Sequence, residues 1–317
     1  MKTKKIRLFE SSKFSISPDL LKIFSNCSDV VFCLNGLESK HFIEKLLNFL
    51  GSQDNQVSEC SLKLLADISL LPFAQHVLLD SNLEPLFQIL KIEERKSHRQ
   101  ICLKIFMNII KLDKENSVFG NHLEILHSNL RQLILESTDE LLLRDHVTLL
   151  SLISQRPDSK KLLITDIPLL YHLSSLFISD DPVTSNRASI SLCHIFSQLE
   201  HLEGKLIPEH QKLIDHLIKE FMKTQTFINL DDQILKNELS KKYIQVFSSI
   251  TWTKVSFLKD QTKILIETFS KLILSDSIDS MTLIHSLRVY SSLIGSFFFF
   301  FFFILIFFFF FLIEFFF

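Results

Sequence analysis

The stretch HFIEKLLNFLGSQDNQVSECSLKLLADISL, His41–Leu70, decides how the chain is read. Phe42, Ile43, Leu46, Leu47, Phe49 and Leu50 recur at three-and-four spacing, the apolar stripe of an amphipathic helix. A polar break follows at Ser52–Asn55. Beyond it Val57, Cys60, Leu62, Leu64, Leu65 and Ile68 mark a second, more continuously apolar helix. Such a pair cannot cover its own apolar faces, so it needs neighbours of the same kind.

Those neighbours are in the sequence. Polar breaks recur at Glu93–Ser97, Ser137–Glu140 and Ser179–Pro182, about 41 to 44 residues apart. Each is preceded by a helical pattern: Leu83, Leu86, Phe87, Ile89 and Leu90, then Leu130, Leu133 and Ile134, then Leu169, Leu170, Leu173, Leu176 and Phe177. Each is followed by a second helix rich in apolar residues, as in Ile101, Cys102, Ile105, Phe106 and Ile109. A short third segment closes the unit, seen at Ala74, Val77 and Leu78 and again at Lys160, Leu162 and Leu163. The pattern continues through a break at Asn229–Asp232 to a last helix over about Met281–Ile294.

A fixed period of about 42 residues in about six copies is the mark of a repeat array. The expected fold is all-α, a right-handed superhelical solenoid of armadillo or HEAT-like repeats over residues 37–294, with residues 1–36 as an N-terminal helical cap. Only 5 Gly and 7 Pro in 317 residues argue against all-β and phosphate-loop architectures.

Residues 295–317 stand apart. They are Phe, Leu and Ile beyond Ser296, with Glu314 as the single charge, and are long enough to cross a bilayer. Natural spans draw on a wider residue set with flanking anchors, whereas Phe here runs unbroken over Phe297–Phe303 and Phe307–Phe311. That composition favours translation of a pyrimidine-rich stretch, a gene-model artefact; a membrane segment is the other reading. The tract also lifts mean hydropathy to +0.24, so that value does not classify the rest of the chain.

The charges, 34 basic and 36 acidic with a net of -2, are mixed along the chain, so no nucleic-acid partner is expected. Four basic residues in Met1–Arg7 are followed by no apolar secretory core. Cys27, Cys33, Cys60, Cys102 and Cys193 are odd in number and widely spaced, which reads as reduced thiols of a cytoplasmic protein.

Chemistry-bearing motifs are few. There is no Gly-rich phosphate loop, His-Glu-x-x-His helix or Cys-x-x-Cys pair, so no catalytic residue, cofactor or metal is expected. Cys193 and His194 are adjacent on a helix and point about 100° apart, which does not suit a shared ion. Asp231-Asp232 with Glu238, and Glu93-Glu94 beside Arg95, fall at breaks where solvated turns carry charge. His122, His127, His172, His201 and His210 read as surface positions, and Trp252 as core or a partner anchor.

In a solenoid of this kind the second helices line a concave face. Its candidate partner-binding residues are Lys63 and Asp67, Lys104 and Asn108, Arg144 and His146, and Asn186 and Arg187.

The segments Leu46-Leu47-Asn48-Phe49-Leu50, Ser137-Thr138-Asp139-Glu140-Leu141, Leu149-Leu150-Ser151-Leu152-Ile153 and Ser189-Ile190-Ser191-Leu192 occur in an order that resembles the N-terminal armadillo region of the cancerous inhibitor of protein phosphatase type 2A family. The similarity runs over about Phe42–Lys205. It implies a non-catalytic, homodimeric scaffold that binds and restrains a regulatory subunit of protein phosphatase 2A, with a coiled coil after the solenoid. This sequence contains no such coiled coil. Two other readings stay open: an armadillo-like assembly chaperone resembling proteasome subunit 5 of the non-ATPase set, and a tail-anchored membrane adaptor, the latter only with a genuine Phe tract.

Overall fold

The computed structural model describes residues 37–92, 95–112, 120–199, 207–225, 230–250, 259–274 and 279–294. The expected cap over 1–36, the Phe tract, Trp252, Cys27, Cys33, Glu93-Glu94 and His201 lie outside them. The described residues are helical throughout, with no strand among them. They form two compact units, one up to Ser159 and one from Lys160.

The first unit contains α1 (Leu37–Phe49), α2 (Asn55–Ile68), α3 (Pro72–Leu79), α4 (Glu84–Lys91), α5 (Lys96–Leu112), α6 (Gly120–Glu136) and α7 (Glu140–Ile153). The three breaks expected between paired helices fall between α1 and α2, α4 and α5, and α6 and α7. The expected third segment is α3, set off by Pro72 at its first turn, where the missing N–H costs nothing. Each pair packs on itself, and α2, α5 and α7 also pack in series, α2 on α5 and α5 on α7.

In the second unit α9 (Ile167–Ser175) runs into a 3-10 turn, Leu176–Ile178, and then come α10 (Pro182–Phe196), α11 (Pro208–Thr224), α12 (Leu230–Phe247), α13 (Lys259–Ile273) and the helix over 280–294, here α14. A short α8 (Pro157–Leu163) lies at the division between the units. Here α10 packs on α9 and α12. The break expected at Asn229–Asp232 is corrected in part, because α12 starts at Leu230 and takes Asp231 and Asp232 into its first turn.

Counted from their first residues, α2, α5, α7, α10 and α14 share a register. Six residues in stand Ser61, Cys102, His146, Ala188 and Ser286, all buried. Nine residues in stand Leu64, Ile105, Leu149, Ser191 and Val289, also buried. The helix starts repeat as well. The carboxylates of Asp54, Asp139, Asp181 and Asp279 accept hydrogen bonds from the amides of Gln56, Leu142, Thr184 and Thr282, at 2.9, 3.1, 3.0 and 2.9 Å. An N-cap aspartate satisfies an amide that the first helical turn leaves without a partner.

Hydroxyls fix the turn between paired helices. Ser58 Oγ donates to the carbonyl of Leu50 at 3.1 Å, and Ser185 Oγ donates to that of Phe177 at 2.5 Å, each eight residues back. The core is aliphatic with paired rings: Phe87 stacks on Phe106 at 5.1 Å in the first unit, and in the second Phe221 meets Phe247 edge to face at 5.4 Å and stacks on Phe269 at 5.8 Å.

Candidate partner-binding face

Buried positions fix which side of each second helix turns outward. Eight residues into the helices stand Lys63, Lys104, Thr148, Ile190 and Arg288; four residues in stand Glu59, Gln100, Arg144, Asn186 and Ile284. None of these belongs to the buried core. The line is set by helical periodicity, since a residue four along from another lies on the same face.

Among the expected contact residues, Lys63, Asp67, Lys104 and Asn186 are exposed, while Arg144 and Arg187 are half-buried. Lys63 forms an ion pair of 2.7 Å with Glu59 one turn earlier. Their mutual hydrogen bond holds the Glu59 carboxyl below, and the Lys63 ammonium above, the usual values. Lys104 and Arg144, on neighbouring helices, both act on Asp145, whose carboxyl is raised by burial and pulled back by Arg144 and then Lys104.

Asn108 has a second task. Its Nδ2 donates to Ser69 Oγ at 2.9 Å, and Gln75 Nε2 donates to the carbonyls of Ser69 and Asn108 at 2.6 and 3.4 Å. It therefore ties α5 to α2.

His146 is not a surface contact. It is 0% exposed, and neither ring nitrogen has a hydrogen-bond partner. Burial first, then the Arg99 charge, lowers its pKa to about 3, so the ring is neutral. The physical reason is register: His146 stands where Ser61, Cys102 and Ala188 turn into the core. His210 is corrected likewise, being buried with Nε2 2.6 Å from the carbonyl oxygen of Ile164. His122, His127 and His172 are half-buried.

No group of three or more His, Cys, Asp or Glu among the described residues is placed to hold a metal ion. Cys102 is buried, its thiol pushed well above the usual value by burial and donating to the carbonyl of Leu86 at 3.2 Å. Burial also pushes the Cys193 thiol up to about 12. Glu238, half of an expected carboxylate cluster, is exposed and pairs with Lys241 at 3.3 Å. No single helix among the described residues is long and apolar enough to cross a membrane.

Polar links cross from repeat to repeat at the helix starts. Arg95 Nη2 donates to Asn55 Oδ1 at 2.6 Å, Lys96 Nζ reaches Asp139 Oδ2 at 2.6 Å, and Lys241 Nζ lies 3.4 Å from Asp279 Oδ2. Sequence reading missed these links. The signal for them was the aspartate that opens most of the second helices.

This architecture recurs in solved structures. An engineered protein of the Northeast Structural Genomics Consortium matches at a TM-score of 0.60 with 18% identity, covering 91% of this chain and 67% of that one. A designed armadillo repeat protein matches at 0.54 with 16% identity, covering 79% and 99%. The fold is of the armadillo/HEAT type. A further designed armadillo repeat protein, solved in complex with the peptide (KR)4, gives the same TM-score of 0.54 at 16% identity over 79% and 99% of the two chains. No protein-family model matches the sequence, and no curated protein matches it. The armadillo-type helix order accounts for short α3, α4 and long α5 as one three-helix unit.

Proposed function

We propose that the protein is a non-catalytic, cytoplasmic protein-binding scaffold whose partner face is the outward line of its second helices. The observation that carries this reading is the register of that line: Lys63, Lys104 and Arg288 share one helical position, Arg144 and Asn186 another, and none is spent on the core. Within each unit, polar side chains that recur at one helical position suit an extended polypeptide, which repeats its own groups at fixed intervals. Cys60, Cys102 and Cys193 are in no disulfide, which suits a reducing compartment. The peptide-bound armadillo design supports the use of this fold for peptide recognition.

The resemblance over Phe42–Lys205 directs the choice of a first partner, a regulatory subunit of protein phosphatase 2A. Mixing the purified subunit with the full chain and following both by size-exclusion chromatography tests this choice. Co-elution that is lost in the Lys104→Glu/Arg144→Glu variant supports it. Separate elution at micromolar concentrations rejects the phosphatase partner, and co-purification with proteasome base subunits instead turns the reading to the assembly chaperone.

A further inference from the structure

The helix α14 departs from α2, α5, α7 and α10 at two positions. Four residues in, they carry Glu59, Gln100, Arg144 and Asn186, whereas α14 carries Ile284, 43% exposed. Seven residues in, they bury Leu62, Leu103 and Val147, whereas Leu287 is 43% exposed. Eight residues in, Arg288 continues the position of Lys63 and Lys104.

These side chains bound a groove of about 530 Å³ between α12 and α14, lined by Ser248, Ile284, Leu287, Arg288, Ser291 and Ser292. Five of the six, Ile284, Leu287, Arg288, Ser291 and Ser292, lie on α14, and Ser248 follows the end of α12. Among the described residues no carboxylate forms an ion pair with Arg288, whereas Lys63, at the same helical position of α2, pairs with Glu59.

His285, also on α14, has Nδ1 2.7 Å from the Oγ of Ser248, one of the lining residues. The Ser248 hydroxyl gives its proton to the carbonyl of Gln245 at 2.7 Å. Its oxygen therefore accepts from His285, which assigns the ring proton to Nδ1. Burial and then the Arg288 charge lower the pKa of His285, against a smaller opposing effect of the Asp279 carboxylate.

We infer that this groove binds a peptide segment in which an anionic side chain alternates with an aliphatic one, the anion meeting Arg288 and Ser291 and the aliphatic group meeting Ile284 and Leu287. The inference rests on the scaffold reading and gives that face a ligand chemistry. Charge complementarity selects the occupant: a guanidinium fork binds carboxylate or phosphate oxygens in pairs, and the exposed Ser291 hydroxyl one turn on stands beside it as a further donor. A basic peptide of the (KR)4 kind meets the wrong sign of charge here.

The test is fluorescence anisotropy on the full chain with three labelled probes, (Glu-Leu)4, (phosphoserine-Leu)4 and (Lys-Leu)4. Both anionic peptides are expected to bind at least about tenfold more tightly than (Lys-Leu)4, and to weaken as salt is raised. Whichever of the two binds better identifies carboxylate or phosphate as the preferred anion. Arg288→Glu is expected to weaken both by about tenfold or more, with Arg288→Gln intermediate and circular dichroism unchanged. Equal binding of (Glu-Leu)4 and (Lys-Leu)4, or wild-type binding by Arg288→Glu, overturns the inference. If Arg288→Glu binds as wild type while Lys104→Glu/Arg144→Glu loses a protein partner, the scaffold reading stands and only the groove assignment falls.

Discussion

Lys96, at the start of α5, reaches the carboxylate of Asp139, the N-cap of α7, at 2.6 Å. The same carboxylate accepts from the Leu142 amide, so one side chain both starts a helix and ties two repeats together. The two jobs differ in value. Asp139→Ala is expected to lower unfolding free energy by about 1 kcal/mol through the lost cap. Lys96→Ala removes an exposed ion pair and is expected to cost less than about 0.5 kcal/mol. Urea denaturation of both variants measures the difference.

The caps also set an acid limit. The Lys96 hydrogen bond holds the Asp139 carboxyl below its ordinary value, and the Thr282 amide, chief among several partners, holds Asp279 at about 2. Both groups release protons more readily folded than unfolded. Their stabilisation is complete above the ordinary carboxyl range near pH 4 and is lost as pH falls toward about 2. Thermal melts at pH 5 and pH 2.5 should show a smaller acid-induced drop for Asp139→Asn/Asp279→Asn than for wild type.

His146 predicts a second pH effect, in a higher window. Its pKa of about 3 in the fold lies below the unfolded value of 6.5, so between these limits the unfolded chain binds a proton that the folded chain refuses. Stability is full above pH 6.5 and falls as pH drops toward 3. His146→Leu is expected to flatten this slope, and to raise stability by about 1 kcal/mol or more by removing buried polar nitrogens without partners. Melting temperature against pH for the two proteins is the check.

Asn108 and Lys104 lie one turn apart on α5 and should separate stability from binding. Asn108→Ala breaks the bond to Ser69 and is expected to cost about 1 kcal/mol. Lys104→Glu changes an exposed side chain and is expected to leave the melting temperature within about 1 °C while weakening partner binding.

Periodicity made the helix pairs and their breaks legible from residues such as Phe42, Leu46, Leu62 and Leu65, because apolar spacing directly reflects which face of a helix is buried. Burial of polar residues was not legible in that way. His146 looked like a surface group by residue type, and only its alignment with Ser61, Cys102 and Ala188 places it in the core. Asp231 and Asp232 looked like a break because acidic pairs are common in turns; they are equally suited to a first helical turn, where the helix dipole favours negative charge. The groove at Arg288 has no signal of its own in the sequence, because the spacing of Ile284 and Leu287 is that of an ordinary buried helical stripe.

The central claim is that partners are held by the outward line of the second helices. The most direct measurement compares the full chain with a Lys63→Glu/Lys104→Glu/Arg144→Glu/Arg187→Glu variant, by affinity capture and quantitative mass spectrometry, after circular dichroism has established equal helix content. Selective loss of the wild-type partners from the folded variant is the predicted result. Capture of the same partners in the same amounts by both proteins would contradict the account.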